Sequence, residues 1–223
     1  MSEITDVYDF QAEWSGHGFD AVVLAGGDYP SHACPLAVIE GATRLVACDS
    51  AGEELLRRGI VPMAIVGDCD SMSPEFRNEY SDIIYKEDEQ DYNDLTKATR
   101  FCIERGCRRI AYVGVTGKRE DHTLANIALL DYFRSTLGIE PVMFTDYGVF
   151  LPASGTASFK TFVHQQVSIF NLSCSELDGD GLRWQPYAFG SFWQGALNEA
   201  TGNTVTLRGN GAYIVFLTYE AKH

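Results

Sequence analysis

The sequence predicts an α/β protein in two parts: a mostly parallel sheet with flanking helices over residues 1–146, then a smaller antiparallel β domain, sandwich or barrel, over 147–223. Three observations carry this. Short β-branched runs alternate with segments of helical period through about Asp146; polar or glycine-rich clusters follow the apolar runs; and from Tyr147 the runs become short and alternating, with no long helical segment.

Residues 1–18 suggest no clear element. Strands are expected at 21–26 (AVVLAG), 44–49 (RLVACD), 63–68 (MAIVGD), 82–85 (DIIY), 109–115 (RIAYVGV) and 141–146 (PVMFTD). Helices are expected from Ala51 to Arg58, Tyr92 to Glu104 and Asp121 to Ser135, with Asp94 as an acid in an early turn. Beyond Tyr147, the runs VFLPAS, TASFKTFV, VSIFNL, NTVTLRG and AYIVFLTYE read as strands divided by Gly, Asn and Ser. No repeat or Pro/Ser-rich linker separates the two parts, so a tight junction is expected.

A chain of 223 residues that is 45% hydrophobic and 22% charged has ample material for a core. Seventeen basic against thirty-one acidic residues give a net charge of −14, which disfavours nucleic acid and anionic lipid as partners. The first residues lack a basic segment followed by an apolar one, and no run is apolar for a membrane span's length, so a cytoplasmic location is expected. Six cysteines without a C-x-x-C, and five histidines without an H-x-x-x-H, predict reduced packing thiols and no zinc site.

Chemistry-bearing residues concentrate where the apolar runs end. Gly67-Asp68-Cys69-Asp70-Ser71 follows one strand, and acids past the carboxyl end of a parallel strand project into the ligand crevice. Asp68 and Asp70 suit Mg²⁺, a hard ion that takes one or two carboxylates and completes its shell with water and phosphate oxygens. Between a strand and a helix runs Glu87-Asp88-Glu89-Gln90-Asp91-Tyr92-Asn93-Asp94, with Lys97 on the same helical side as Asp94. Gly114-Val115-Thr116-Gly117-Lys118-Arg119-Glu120-Asp121-His122 opens another helix with glycines for close approach and cations for phosphate; it lacks Walker A spacing. Asp49-Ser50-Ala51-Gly52 and Gly26-Gly27-Asp28 are two further clusters. Each alone also reads as a solvated turn, but five such clusters at consecutive strand ends predict a nucleotide or phosphate crevice.

Three ordered segments then carry a resemblance: Gly67 to Ser71, Glu89-Gln90-Asp91-Tyr92-Asn93-Asp94-Leu95-Thr96-Lys97, and the G-x-x-G-x-R-x-D-H-x-x-A-N pattern from Gly114 to Asn126. With a partial A-D-G-G-A at Ala47 to Gly52, V-S-I-F at 167–170, G-L-R-W at 181–184 and Asn198, the chain resembles thiamine pyrophosphokinase. The resemblance implies ATP-dependent pyrophosphoryl transfer to the thiamine hydroxyl, releasing AMP. It also implies that Asp68, Asp70 and Asp91 hold Mg²⁺ and the ATP phosphates, that Asp94, Lys97, Arg119 and Asp121 complete the crevice, and that Trp184, with Asn198 nearby, stacks on thiamine. A homodimer sharing its thiamine sites is implied too. The chain departs from the family pattern at Lys118, Asn93 and Leu197, none of them a metal carboxylate. The alternatives are another Mg-dependent nucleotide transferase or hydrolase, and a nucleotide- or thiamine-binding sensor without turnover.

Overall fold

The protein is described by a computed structural model that covers residues 6–9, 18–70 and 72–221. Ser71, His17 and His223 lie outside these residues.

After a short strand β1 (Asp6–Tyr8), the chain alternates strands and helices: β2 (Ala21–Leu24), α1 (Ala33–Glu40), β3 (Leu45–Cys48), α2 (Ala51–Arg57), β4 (Ala64–Gly67), α3 (Pro74–Glu79), β5 (Ile84–Lys86), α4 (Asp94–Glu104), β6 (Arg109–Val113), α5 (Glu120–Ser135) and β7 (Glu140–Phe144). All six strands expected from the sequence are present. Helices α1 and α3 were not expected, for opposite reasons. Helix α1 is apolar along most of its length, so no polar face marks a period, whereas α3 is six residues with none buried. Ser73 begins α3 by accepting from Phe76 N at 3.1 Å, with Pro74 at the first helical position.

Strands β7, β6, β2, β3, β4 and β5 lie side by side in that order and all run parallel. Side-chain alternation divides their residues between two cores. Val22, Leu24, Ala47 and Ile65 face the side covered by Val38 and Ile39 of α1 and Leu55 of α2, while Val23, Val46, Val66 and Tyr112 face Leu95, Ala98 and Phe101 of α4 and Leu130 and Phe133 of α5. The order reverses at β2: successive strands first extend to one side through β3, β4 and β5, then return to the other through β6 and β7. In such sheets the ligand crevice opens at the carboxyl ends of the two strands flanking the reversal.

The remaining strands are β8 (Gly148–Lys160), β9 (Gln165–Asn171), β10 (Leu177–Asp180), β11 (Asn198–Glu199) and β12 (Thr204–Ala221), with a 3₁₀ turn at Phe192–Gly195. Strand β8 is antiparallel to both β7 and β12, so the second region continues the first sheet. The sequence suggests two strands each within β8 and β12. Instead, Gly155 at φ +67° and a register shift between Arg208 and Ala212 bend two long strands without interrupting them. Past the bend β12 exchanges partners, pairing with β10 on one side of it and β9 on the other. A bridge from Leu182 to Ala200 links the segments after β10 and β11, which rolls the sheet back on itself. Strands β10 and β11 are too short to show a period.

The loops after β2 and β6 meet without room for a side chain. Gly27 N donates to Gly114 O at 2.7 Å and Asp28 N to Thr116 O at 2.9 Å, and a Cβ on Gly27 would lie 2.3 Å from Thr116 O. Backbone cannot yield as a side-chain tip can. Gly27→Ala should therefore destabilise the protein by about 3 kcal/mol in urea unfolding. Gly26→Ala, whose Cβ would meet nothing within 4 Å, should stay within about 0.5 kcal/mol of the parent.

Candidate active site

A crevice of about 650 Å³ opens at the carboxyl ends of β2, β3, β4 and β6, and it gathers most of the residues singled out in the sequence. Gly26, Asp49, Ser50, Asp68, Gln90, Asp91, Asp94, Lys97, Gly117, Lys118, Arg119, His122 and Asn126 all line it. Gly67 at the end of β4, Asp70 and Gly114 in the adjoining loops and Asp121 in the first turn of α5 lie beside it without lining it, and Trp184 and Asn198 belong to the rolled sheet. Tyr92, given no role from the sequence, forms part of the wall.

The loop after β6 is shaped by three residues in the left-handed region: Gly114 (φ +63°), Gly117 (φ +81°) and Lys118 (φ +55°). At Gly117 a Cβ would lie 2.1 Å from Asp28 Oδ2, so both conformation and space require glycine there. The turn carries Lys118 back across the reversal, where its Nζ donates to Gly26 O at 2.8 Å. Arg119 then opens α5 and forms a two-point pair with Asp121, Nε to Oδ1 at 3.1 Å and Nη2 to Oδ2 at 2.6 Å. That pairing holds the Asp121 carboxyl down at about 2. Asn126 Nδ2 donates to Val115 O at 2.9 Å, and its Oδ1 accepts from Asn93 Nδ2 at 3.4 Å, which ties α5 to the start of α4.

Opposite these cations stand the acids. Two strand ends place non-glycine residues at positive φ, Asp49 at +41° and Cys69 at +61°, a concentration of backbone strain typical of functional sites. Cys69 is fully buried beside the exposed Asp70, whose N–H donates to Asp68 Oδ1 at 3.1 Å. All six cysteines are buried free thiols. Asn93 begins α4, its Oδ1 accepting from Thr96 N at 3.0 Å and from Thr96 Oγ1 at 2.8 Å. The amide thus serves the cap well, and a hydroxyl is not required there.

One turn into α4, Lys97 is only 3% exposed, and its Nζ lies 3.4 Å from Asp94 Oδ1. Burial raises the Asp94 carboxyl above the ordinary carboxylate range; Lys97 opposes that rise, and the charges of Asp49 and Asp68 reinforce it. Three carboxylates therefore repel one another across the crevice, an excess of negative charge that a cation relieves. Among the described residues no group of three or more His, Cys, Asp or Glu is close enough to hold a metal. Mg²⁺ does not need such a group, because it binds through one or two carboxylates and takes its other ligands from water and phosphate. The all-oxygen donor set fits that ion.

On the rolled sheet, buried Asn198 grips the backbone of Trp184 from both sides. Its Oδ1 accepts from Trp184 N at 3.2 Å and its Nδ2 donates to Trp184 O at 2.7 Å. Trp184 is 51% exposed, with the Arg183 guanidinium 4.9 Å from its ring centroid. Glu199, buried and not singled out in the sequence, in turn engages Arg183 at 3.2 Å and His164 Nδ1 at 2.7 Å. Nothing in the local sequence distinguishes it from a surface glutamate, because its partners come from two other segments.

Residues 36–139 match the thiamin pyrophosphokinase catalytic domain, and residues 148–216 match the thiamin pyrophosphokinase substrate-binding domain. Thiamine pyrophosphokinase of Bacillus subtilis (strain 168) is 31% identical over 115 residues, a match covering 48% of this chain and 52% of that relative. The chain thus spans about half the length of that relative in the matched region. The solved structure of thiamine pyrophosphokinase from Bacillus subtilis superposes with a TM-score of 0.73 at 21% identity, covering 89% of this chain and 98% of that one. Thiamin pyrophosphokinase from Candida albicans gives 0.75 at 15% identity, covering 93% and 91%, and the yeast enzyme gives 0.74 at 15%, covering 97% and 92%. At these identities the superpositions speak for the fold. The two consecutive domain matches, in the order and at the places where the crevice and the rolled sheet lie, establish that this chain belongs to the thiamin pyrophosphokinase family.

Proposed function

We propose that this protein transfers a pyrophosphoryl group from ATP to the hydroxyl of thiamine, giving thiamine diphosphate and AMP. The observation that carries the reading is the single crevice in which Asp49, Asp68, Asp91 and Asp94 face Lys118 and Arg119 at the sheet reversal. Asp68, Asp70 and Asp91 would hold Mg²⁺, with Asp70 at the outer edge of the set. The ion supplies neutralisation of phosphate charge when bound.

The thiamine hydroxyl attacks the β-phosphorus, and the bond from that phosphorus to the bridging oxygen of the AMP portion breaks. Transfer of this kind asks a protein chiefly for alignment and charge stabilisation. Lys97, Lys118 and Arg119 offer cations for the phosphoryl oxygens, and Asp91 takes the hydroxyl proton. Asp121 holds the Arg119 guanidinium in its two-point pair, so Arg119 is oriented before substrate arrives. The Trp184 indole offers a face for the thiazolium or pyrimidine ring, with its backbone fixed by Asn198. Because Trp184 does not line its own chain's crevice, a homodimer in which the rolled sheet of one chain meets the crevice of its partner is the arrangement we favour.

Mass spectrometry of protein with MgATP and thiamine tests the function: thiamine diphosphate and AMP should form in equal amounts. Binding of both substrates without product would overturn it in favour of a sensor, and ADP or an altered nucleotide alone would favour a different transferase or hydrolase. Asp68→Asn, Asp70→Asn and Asp91→Asn should each lower kcat on the order of 100-fold at saturating Mg²⁺ with native circular dichroism. A variant keeping more than about a tenth of the activity removes that residue from the metal set. Trp184→Ala should raise KM for thiamine about 5- to 30-fold and leave KM for ATP unchanged, as expected for loss of one stacking contact. Equal changes in both constants would make Trp184 a structural residue. Light scattering should report a dimer, and co-refolding Asp70→Asn chains with chains inactivated at Trp184, each inactive as a homodimer under the assay conditions, should restore roughly a quarter of parental activity if sites are shared.

A further inference from the structure

Arg100, on α4 one turn beyond Lys97, reaches over the acidic loop that precedes its own helix. Its Nη1 lies 3.3 Å from Glu89 Oε2, and its Cζ stands 3.6 Å above the centre of the Tyr92 ring. Glu89 and Tyr92 bracket Gln90 and Asp91, the two residues of that stretch that enter the crevice together with Tyr92. One guanidinium therefore grips the loop on both sides of the residues that matter. Elsewhere the loop is held at its ends, where Glu87 N donates to Gly67 O at 2.8 Å and Asn93 Nδ2 to Asn126 Oδ1 at 3.4 Å, and locally, where Lys86 pairs with Asp88 at 2.7 Å and Gln90 Nε2 donates to Asp88 O at 3.4 Å.

Chemistry explains why arginine occupies this position. A planar guanidinium can give its edge to a carboxylate and its face to an aromatic ring at the same time, which a lysine ammonium cannot. Both contacts are partly exposed, with 32% and 37% of the Arg100 and Glu89 side chains accessible. Contacts of that kind contribute little to global stability. They are well suited to fixing the middle of a loop that is otherwise tied only near its ends, at Glu87 and Asn93.

We propose that Arg100 is a positioning residue, which sets the Gln90–Asp91 segment in the crevice and through it the affinity of the site for its divalent cation. The proposal rests on the reading above that Asp91 helps hold that cation. It gives a part in the site to a residue that touches neither metal nor substrate.

The test compares the parent chain with Arg100→Ala, Arg100→Lys and Asp91→Asn, using Mn²⁺ alone as probe, read by electron paramagnetic resonance without substrates. Amide hydrogen exchange over residues 87–93 is measured on the same samples. Arg100→Ala should weaken Mn²⁺ binding about 10-fold, as loss of a group supporting a metal ligand does, and should speed exchange in 87–93 while leaving the rest of the protein and its melting temperature unchanged. Its kcat at saturating Mg²⁺ should stay within about 2-fold of the parent, whereas Asp91→Asn should lower kcat as well. Arg100→Lys should fall between parent and alanine variant, because it keeps the charge and loses the plane. If Asp91→Asn weakens Mn²⁺ binding and Arg100→Ala alters neither binding nor exchange, Arg100 is a surface ion pair and the proposal is overturned. If Asp91→Asn itself leaves Mn²⁺ binding unchanged, the assignment of Asp91 to the metal fails first and takes the proposal with it.

Discussion

The close approach of two backbones, Gly27 against the carbonyls of Gly114 and Thr116, is the constraint on which the rest of the site depends. It occurs where the strand order reverses, the one place in the parallel sheet where two neighbouring strands send their loops apart to opposite faces. Because the two loops meet backbone to backbone at Gly27, Lys118 can turn back over Gly26 and Arg119 can begin α5 beside the crevice. A side chain between them would separate the cations from the acids. The left-handed conformations of Gly114, Gly117 and Lys118 serve the same geometry, and of the three only Lys118 is strained by it.

Charge in the crevice is arranged at some cost to the free protein. Asp94 is pushed upward by burial and by Asp49 and Asp68, and Lys97 is buried against Asp94. In a protein selected for stability only, that density of like charge would be diluted. Its presence after β3, β4 and β5 is what a polyphosphate and its cation would reward. Arg100 extends the logic outward: the same helix that carries Lys97 into the crevice carries a second cation over the loop that delivers Asp91.

The rolled sheet is built on a different principle. Strands β8 and β12 run through their bends and exchange partners there, so β7 of the parallel sheet and β9 of the roll are both anchored to the same pair of strands. Asn198, Glu199 and Arg183 then fix the segment bearing Trp184, which leaves a large aromatic surface exposed without leaving it loosely held. Exposed Tyr187, Phe192 and Trp193 extend that surface.

Much of the protein was legible in its sequence. The six parallel strands, three of the five helices and the five strand-end clusters follow from apolar runs, helical period and the chemistry of Gly and Asp, all of which are local signals. The bends of β8 and β12 were misread as breaks because glycine marks a turn and a bulge alike, and only the partner strand distinguishes them. Helix α1 carried no period because its outer residues Ala33, Leu36 and Ala37 are as apolar as the buried stripe of Cys34, Pro35, Val38 and Ile39, so hydropathy does not tell the two faces apart. Which of the clustered residues share a crevice was likewise beyond the sequence: Asp68 lines it and Asp70, two residues on, does not, a difference set by the left-handed turn at Cys69. The sequence by itself determined the elements and the chemical inventory, since both are written in neighbouring residues. The tertiary structure decided which members of that inventory meet and which, like Arg100 and Glu199, act by holding others, because those partnerships join segments that only the sheet order and its reversal bring together.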